Sequence, residues 1–239
     1  MHSEPYSRAR IQKILRCPDC KSTALEFHDK GMTCTGCHQE FATWKNGYVL
    51  IGKESPVRQW YPVSGDRPVP RNNPPFLKRV YKWLRPPDRV WTNQSIAVLK
   101  QVLNSRLKDL QEGKGMITGA GFERMYRKVL KGYPPLLRYG LTTKGRIDIH
   151  GDLCDIPLQD RSLRVIISSS VLEHVYNPER AVAELYRVLE PGGEVYVEIP
   201  FIRGFHLIPV DYQRYTIAGI GELFRRHGFQ IIDKGISSG

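Results

Sequence analysis

The chain has 239 residues, 41% of them hydrophobic, which suits a folded domain with a small companion module and excludes general disorder. No run approaches the roughly 18 apolar residues of a membrane span, and the opening "MHSEPYSRAR" lacks the apolar stretch of a secretory leader, so the expected setting is cytoplasmic and reducing. The net charge of +12 is lopsided: residues 1–92 hold sixteen Lys and Arg against eight Asp and Glu. A field of that sign either serves solubility alone or favours an anionic partner, whether RNA, a phosphate-bearing substrate or an acidic membrane surface.

Composition divides the chain into three regions, expected as a zinc-ribbon module (1–52), a Pro-rich basic linker (53–92) and a catalytic-type domain (93–239). Four of the five cysteines fall in the first, as "CPDC" (17–20) and "CTGC" (34–37). Each Cys-x-x-Cys knuckle lets two thiolates reach one ion, and two knuckles complete a tetrahedral shell of Cys17, Cys20, Cys34 and Cys37 suited to Zn2+. An iron centre is the second choice of ion. A closed thiolate shell leaves no room for water, so the metal is structural, supplying folding energy to a module too small for a good core. The second region holds eight of the seventeen prolines, which forbid long regular structure. Within it "FLKRVYKWLR" (76–85) mixes aromatics and cations over one or two helical turns, a segment able to dock on the next domain or to lie on a membrane.

From residue 93 helices alternate with short apolar strands. "NQSIAVLKQVLNSRLKDLQEG" carries Ile96, Leu99, Val102, Leu103, Leu107 and Leu110 at helical spacing. Strands are expected at "MIT" (116–118), "LLRYGL" (136–141), "RIDIHGD" (146–152), "RVIISSS" (164–170), "EVYVEIPF" (194–201) and "FQIIDKGI" (229–236). The clearest helix is "NPERAVAELYRVLEPGG" (177–193): Asn177 caps it, Pro178 takes its first position, Gly192-Gly193 stop it, and Ala181, Val182, Leu185, Val188 and Leu189 form one stripe. Such alternation implies a mostly parallel sheet with helices on both faces and a ligand beyond the C-terminal strand ends. "GMITGAGFE" (115–123) lies there.

The cysteine stretch, "LRCPDC…GMTCTGCHQEF…NGYVLIG", resembles Trm112-like zinc modules and the zinc finger that precedes the catalytic domain of some ribosomal RNA guanine methyltransferases. "DLCDIPLQDRSLRVIISSSVLEHVYNPERAVAELYRVLEPGGEVYVEIPF" (152–201) resembles the central half of a class I S-adenosylmethionine-dependent methyltransferase of the type-11 group. "FHLIPVDYQRYT" (205–216) is similar to a block after the fifth strand in one subgroup.

That resemblance implies a Rossmann-like α/β fold and a set of roles. Gly119, Ala120 and Gly121 let backbone approach the methionine end of S-adenosylmethionine; Asp152 accepts from the adenine amino group, and the Leu153 backbone reads the adjacent ring nitrogen. Ser168 and Ser169 line the methionine pocket, with "VLEHV" (Glu173, His174) shaping its floor or bracing the loop. His206 and Asp211 are the candidate catalytic residues, with His206 the better base. Tyr212, Arg214 and Tyr215 either orient an anionic acceptor or tie the loop to the sheet.

Three positions depart from the family pattern: Ile117 and Gly140 stand where the first two strands present acids, and Arg164 where the fourth opens with Asp. Losing the ribose carboxylate at Gly140 costs roughly 1.5–3 kcal/mol, or ten- to a hundredfold in affinity. The last strand of a full class I sheet is also missing, leaving an edge open to a protein partner, as the zinc ribbon is. The expected function is methyl transfer to RNA, a phosphate-bearing small molecule or a glycan intermediate. The competing expectation is a methyltransferase-like binding or scaffold protein with weakened catalysis.

Overall fold

A computed structural model describes residues 6–45, 47–61, 97–101, 104, 110, 113–119, 130, 133–141, 146–201 and 210–236. Helix α1 (Arg8–Ile14) leads into four short strands, β1 (Leu25–His28), β2 (Gly31–Cys34), β3 (Glu40–Trp44) and β4 (Gly47–Leu50), joined antiparallel in sequence order. The second half adds β5 (Gly115–Thr118), β6 (Leu137–Gly140), β7 (Ile149–Gly151), β8 (Leu163–Ser169) and β9 (Leu189–Glu198). These strands pair in parallel in the order β7-β6-β5-β8-β9. The order is 3-2-1-4-5 counted within this half, that of a Rossmann-like sheet, with its switch point between β5 and β8.

The cysteine module is not a bead on a string. Strand β4 pairs in parallel with β7 (Tyr48↔Ile149, Val49↔His150, Leu50↔Gly151), so all nine strands form one sheet. Gly47 permits the approach: a Cβ there would lie 2.2 Å from the Ile147 carbonyl oxygen. One apolar core spans the junction, with Leu15, Met32, Tyr48 and Leu50 packed among residues such as Tyr139, Ile149 and Leu158. Polar contacts reinforce it. Arg8 and Gln12 donate to the Tyr48 hydroxyl, both at 2.9 Å, and the half-exposed end of Lys21 grips both Asp155 oxygens at 2.6 and 2.7 Å. Arg16 lies among Asp155, Asp160 and Glu184, beside Arg187, which donates to the Ile156 and Leu158 carbonyls.

The two faces of the sheet separate by alternation along each strand. Met116, Leu137 and Ile166 face the larger core, while Ile117, Val165 and Ile167 face a second one closed by Leu99, in a helical stretch at 97–101. Helix α2 (Pro178–Val188) starts as its sequence dictates: Asn177 Oδ1 accepts from Arg180 N at 3.0 Å, and Ala181, Val182, Leu185 and Val188 are buried. It ends earlier than expected, because Leu189 already pairs with Leu163; the Gly192-Gly193 pair falls inside β9, where the register jumps. Helix α3 (Ile217–Arg226) was not foreseen. Its marks are Thr216, whose Oγ1 accepts from Gly219 N at 3.0 Å, and the buried Leu223 and Phe224.

The segment 229–236, expected as a strand, pairs with nothing among the described residues. Phe229 instead sets its ring against Tyr186 and Phe224, each with centroids 5.1 Å apart, a packing that carries the chain off the sheet. The outer edge of β9 is therefore unpaired among the described residues and borders a groove lined by Val195, Val197, Ile220, Phe224 and Ile231. No described helix is long and apolar enough to cross a membrane.

Candidate cofactor site

The C-terminal ends of β5, β7 and β8 carry the residues singled out in the sequence. Gly119 leaves β5 with φ of 75°, and a Cβ there would lie 2.6 Å from both the Ser169 carbonyl oxygen and Val171 Cγ2. Only glycine takes that turn at that distance. Ala120 and Gly121 lie outside the described residues, as does His206. Next to the turn, Thr118 and Ser168 are opposite one another in the β5–β8 register, both buried. Neither hydroxyl has a hydrogen-bond partner among the described residues. Buried hydroxyls are normally satisfied, so a pair of orphans facing the switch point marks where a ligand's polar atoms would fit. Ser169 differs, donating to Glu198 Oε2 at 3.4 Å.

Just past the end of β7 the polar groups of Asp152 are satisfied within the chain, whereas the two ring nitrogens of the buried His150, on the strand itself, have no hydrogen-bond partner among the described residues. Asp152 is buried at 4% exposure. Its Oδ1 accepts from Cys154 N at 2.9 Å; its Oδ2 accepts from Ser55 Oγ at 2.6 Å and Tyr176 OH at 3.2 Å. Its carbonyl accepts from the Tyr139 hydroxyl at 2.6 Å. Burial first, then the Asp152 charge, pushes the Tyr139 and Tyr176 phenols well up, so both stay protonated donors. Burial likewise pushes the Cys154 thiol up to about 12. Leu153 is buried beside them. On the neighbouring position, the buried His150 ring meets Tyr61 edge-on at 5.5 Å, and burial holds its pKa down at about 4.

The two departures acquire physical content here. Ile117 is a core residue of the second face, so its side chain fills space that an acid could not occupy without a partner. Gly140 is the reverse: among the described residues a Cβ there would meet only Gly119 N, at 4.0 Å. Asp148 does not substitute, since Arg138 N and Arg146 Nε bind its buried carboxylate.

Beyond β8, the "VLEHV" stretch forms a 3-10 turn, Leu172–His174. Residues 210–214 are laced onto it. His174 Nδ1 donates to the Val210 carbonyl at 2.6 Å, Tyr212 N donates to Glu173 O at 2.8 Å, and Gln213 donates to the Leu172 and Val175 carbonyls. Asp211 is nearly inaccessible and forms a two-pronged ion pair with Arg214, one arm at 2.6 Å. That pair holds Arg214 charged, its pKa raised by Asp211, and leaves both Asp211 oxygens engaged. The arrangement ties the loop to the sheet and offers no free base at Asp211.

The cysteines converge as their spacing requires. The four sulfurs lie within 4.8 Å of one another, with Cys17–Cys37 at 3.7 Å and Cys20–Cys34 at 3.5 Å. A tetrahedron with metal–sulfur bonds of ~2.3 Å has edges of about 3.8 Å, so the set fits one enclosed ion. Sequence reading missed Ser55, Tyr139, Tyr176 and Thr118. Only Ser55 carried a signal, as a Ser-Pro pair opening the 3-10 turn Pro56–Trp60.

Residues 133–197 match the methyltransferase domain of the type-11 family. The chain is 35% identical over 95 residues to an S-adenosylmethionine-dependent methyltransferase of Mycolicibacterium smegmatis, covering 37% of each protein. It is 28% identical over 115 residues to the demethylmenaquinone methyltransferase of Clavibacter sepedonicus, covering 46% of this chain and 47% of that protein. The chain thus spans less than half the length of these curated relatives. Among solved structures, a complex of the Haloferax volcanii Trm112 methyltransferase activator with a methyltransferase aligns at 20% identity and a TM-score of 0.43, over 64% of this chain and 73% of that one. The chain carries a methyltransferase domain of the S-adenosylmethionine-dependent kind, on a Rossmann-like sheet that runs without a break into a four-cysteine module.

Proposed function

We propose that the protein is an S-adenosylmethionine-dependent methyltransferase, with a structural Zn2+ on Cys17, Cys20, Cys34 and Cys37, acting on an anionic acceptor. The observation that carries the reading is the pair of buried hydroxyls of Thr118 and Ser168, unpartnered among the described residues, beside the glycine turn at the switch point of the sheet. When bound, the cofactor supplies a methyl group on a positively charged sulfur that is already a good leaving group. The chain's task is therefore mainly to bind and orient.

Gly119 gives the cofactor's methionine end access to backbone, with Ala120 and Gly121 in the same role. Thr118, Ser168 and Ser169 supply hydroxyls, and Asp152 with the Leu153 backbone receives the adenine. His174 donates through Nδ1 to the Val210 carbonyl and brings Nε2 to 3.7 Å from the Glu173 carboxylate, bracing the turn beside the site. His206 remains the base candidate on the acceptor side. The excess of cations in residues 1–92 supports RNA or a phosphate-bearing small molecule as acceptor.

The test is calorimetric titration of the zinc-loaded protein with S-adenosylhomocysteine. Micromolar binding that weakens in Asp152→Ala is expected, and no binding by a folded sample overturns the reading. For RNA, retention that falls steeply with salt is expected; retention indifferent to salt removes RNA as acceptor. The missing side chain at Gly140 favours a second reading, a binding protein with weakened cofactor affinity, and Kd values in the millimolar range would support it.

A further inference from the structure

The segment that leaves the cysteine module, Gly52–Tyr61, does not run away from the methyltransferase domain. It folds back over the end of β7. Three contacts hold it there. Asp19, inside the first cysteine knuckle, accepts from Lys53 N at 2.7 Å; Ser55 Oγ donates to Asp152 Oδ2 at 2.6 Å; and the Tyr61 ring packs edge-on against His150. The neighbouring Lys21 grips Asp155 on the same loop as Asp152. The module thus touches the Asp152–Asp155 loop from both the knuckle and its exit.

The direction of the Ser55 bond follows from its other contact. Ser55 caps the 3-10 turn, its Oγ accepting from Val57 N at 3.4 Å. A hydroxyl has one proton, and the carboxylate can only accept, so the Ser55 proton points at Asp152 Oδ2. A carboxylate offers about four acceptor sites. Cys154 N, Ser55 Oγ and Tyr176 OH fill three of those on Asp152, which fixes the plane of the group and leaves one direction without a donor among the described residues.

We propose that Ser55, contributed by the exit of the cysteine module, is a positioning residue of the adenine subsite, aiming the remaining acceptor site of Asp152 at the exocyclic amino group of the cofactor. This rests on the methyltransferase reading above. It assigns to the 53–61 stretch a part in cofactor selectivity that neither its composition nor the family pattern gives it.

The experiment measures binding of S-adenosylhomocysteine and of its purine counterpart lacking the 6-amino group, using the full zinc-loaded chain, with thermal melting as a fold control. Wild-type protein is expected to prefer the amino compound. Ser55→Ala is expected to weaken S-adenosylhomocysteine about tenfold while leaving the deamino compound nearly unchanged, so the preference collapses. Ser55→Thr, which keeps the hydroxyl, restores it. If Ser55→Ala does not fold, the near-isosteric Ser55→Cys, a weak donor, must show the same collapse.

Equal weakening of both compounds would make Ser55 a scaffold contact and overturn the proposal while sparing the methyltransferase reading. Tighter binding in Ser55→Ala would overturn it differently, showing that Ser55 occupies the place of adenine. Failure of the folded wild type to bind either compound overturns both the proposal and the reading beneath it.

Discussion

The two halves of the candidate cofactor site are built on opposite principles. At the end of β7, Asp152 is met by three side-chain-directed donors, and even its carbonyl is bound by Tyr139. At the ends of β5 and β8, Thr118 and Ser168 bury hydroxyls that meet nothing among the described residues. An acceptor satisfied within the chain is held in one orientation whether or not a ligand is present. An orphan hydroxyl is a standing cost that only a ligand removes. The first half is thus pre-organised by its own fold, and the second is completed by what binds.

The largest effect should come from removing the proposed Zn2+, because the pre-organised half depends on the cysteine module. Structural Zn2+ sites of this type contribute on the order of 10 kcal/mol to their module. Chelation, or Cys34→Ser at a buried ligand, is expected to unfold residues 6–50 and strip β4 from β7. Hydrogen exchange would then show loss of protection along β7 as well as within the module. Protection retained at β7 would mean that the shared sheet does not couple the two.

Next in size is Asp152→Ala. It strands Ser55, Tyr176 and Cys154 N, and the two shorter of these charge-assisted bonds, from Ser55 and Cys154 N, at roughly 1.5–3 kcal/mol each give a destabilisation of ~3–6 kcal/mol. Urea unfolding should show it in the ligand-free protein. A change below ~1 kcal/mol would break the comparison, placing Asp152 with the ligand-dependent half.

How much of this was legible in the sequence depends on whether the signal was local. The four cysteines announce their site by spacing, because thiolates two apart must share an ion. Asn177-Pro178 and the stripe from Ala181 to Val188 announce α2 by capping and period. The runs at 146–152 and 164–170 read as strands, and the structure has β7 at Ile149–Gly151 and β8 at Leu163–Ser169. What could not be read are the non-local pairings. Nothing in "GYVL" (47–50) says that it will pair with β7, about a hundred residues away, since parallel pairing leaves no turn signature. Ser55 was hidden among prolines that argue for a linker. "FQIIDKGI" has a strand's composition, but its Phe229 found aromatic partners at 5.1 Å off the sheet, a tertiary choice that local propensity cannot report. Asp211 looked like a base by residue type and is engaged by Arg214, three positions on.

His150, buried on β7 beside Asp152 with neither ring nitrogen hydrogen-bonded among the described residues, offers a test by pH. Burial, against a smaller opposing effect of the Trp44 backbone, lowers its folded pKa from 6.5 to about 4. Between those values the unfolded chain binds a proton that the folded chain refuses. Its stabilising contribution is therefore complete above pH 6.5 and is lost as pH falls toward 4, by up to about 3 kcal/mol. His150→Phe should flatten the stability profile across that window, with carboxylate effects elsewhere common to both proteins. An unchanged slope would mean that His150 becomes protonated in the fold, which its burial and the charge of Lys45 oppose.

The smallest effect is the sharpest for the comparison, because its sign reverses with ligand. Thr118→Val replaces a buried, unpartnered hydroxyl by a methyl of nearly the same shape. Removing an orphan polar group stabilises by about 1 kcal/mol, so the ligand-free variant should melt a few degrees higher than wild type. If the hydroxyl exists for the cofactor, S-adenosylhomocysteine should bind the variant roughly five- to tenfold more weakly, and the stability advantage should vanish as ligand saturates. Ser168→Ala should follow the same pattern with a smaller gain, since it also leaves a small void. A variant both more stable and equally tight in binding would show the orphan hydroxyl to be unused, and the difference between the two halves of the site would then be one of packing alone.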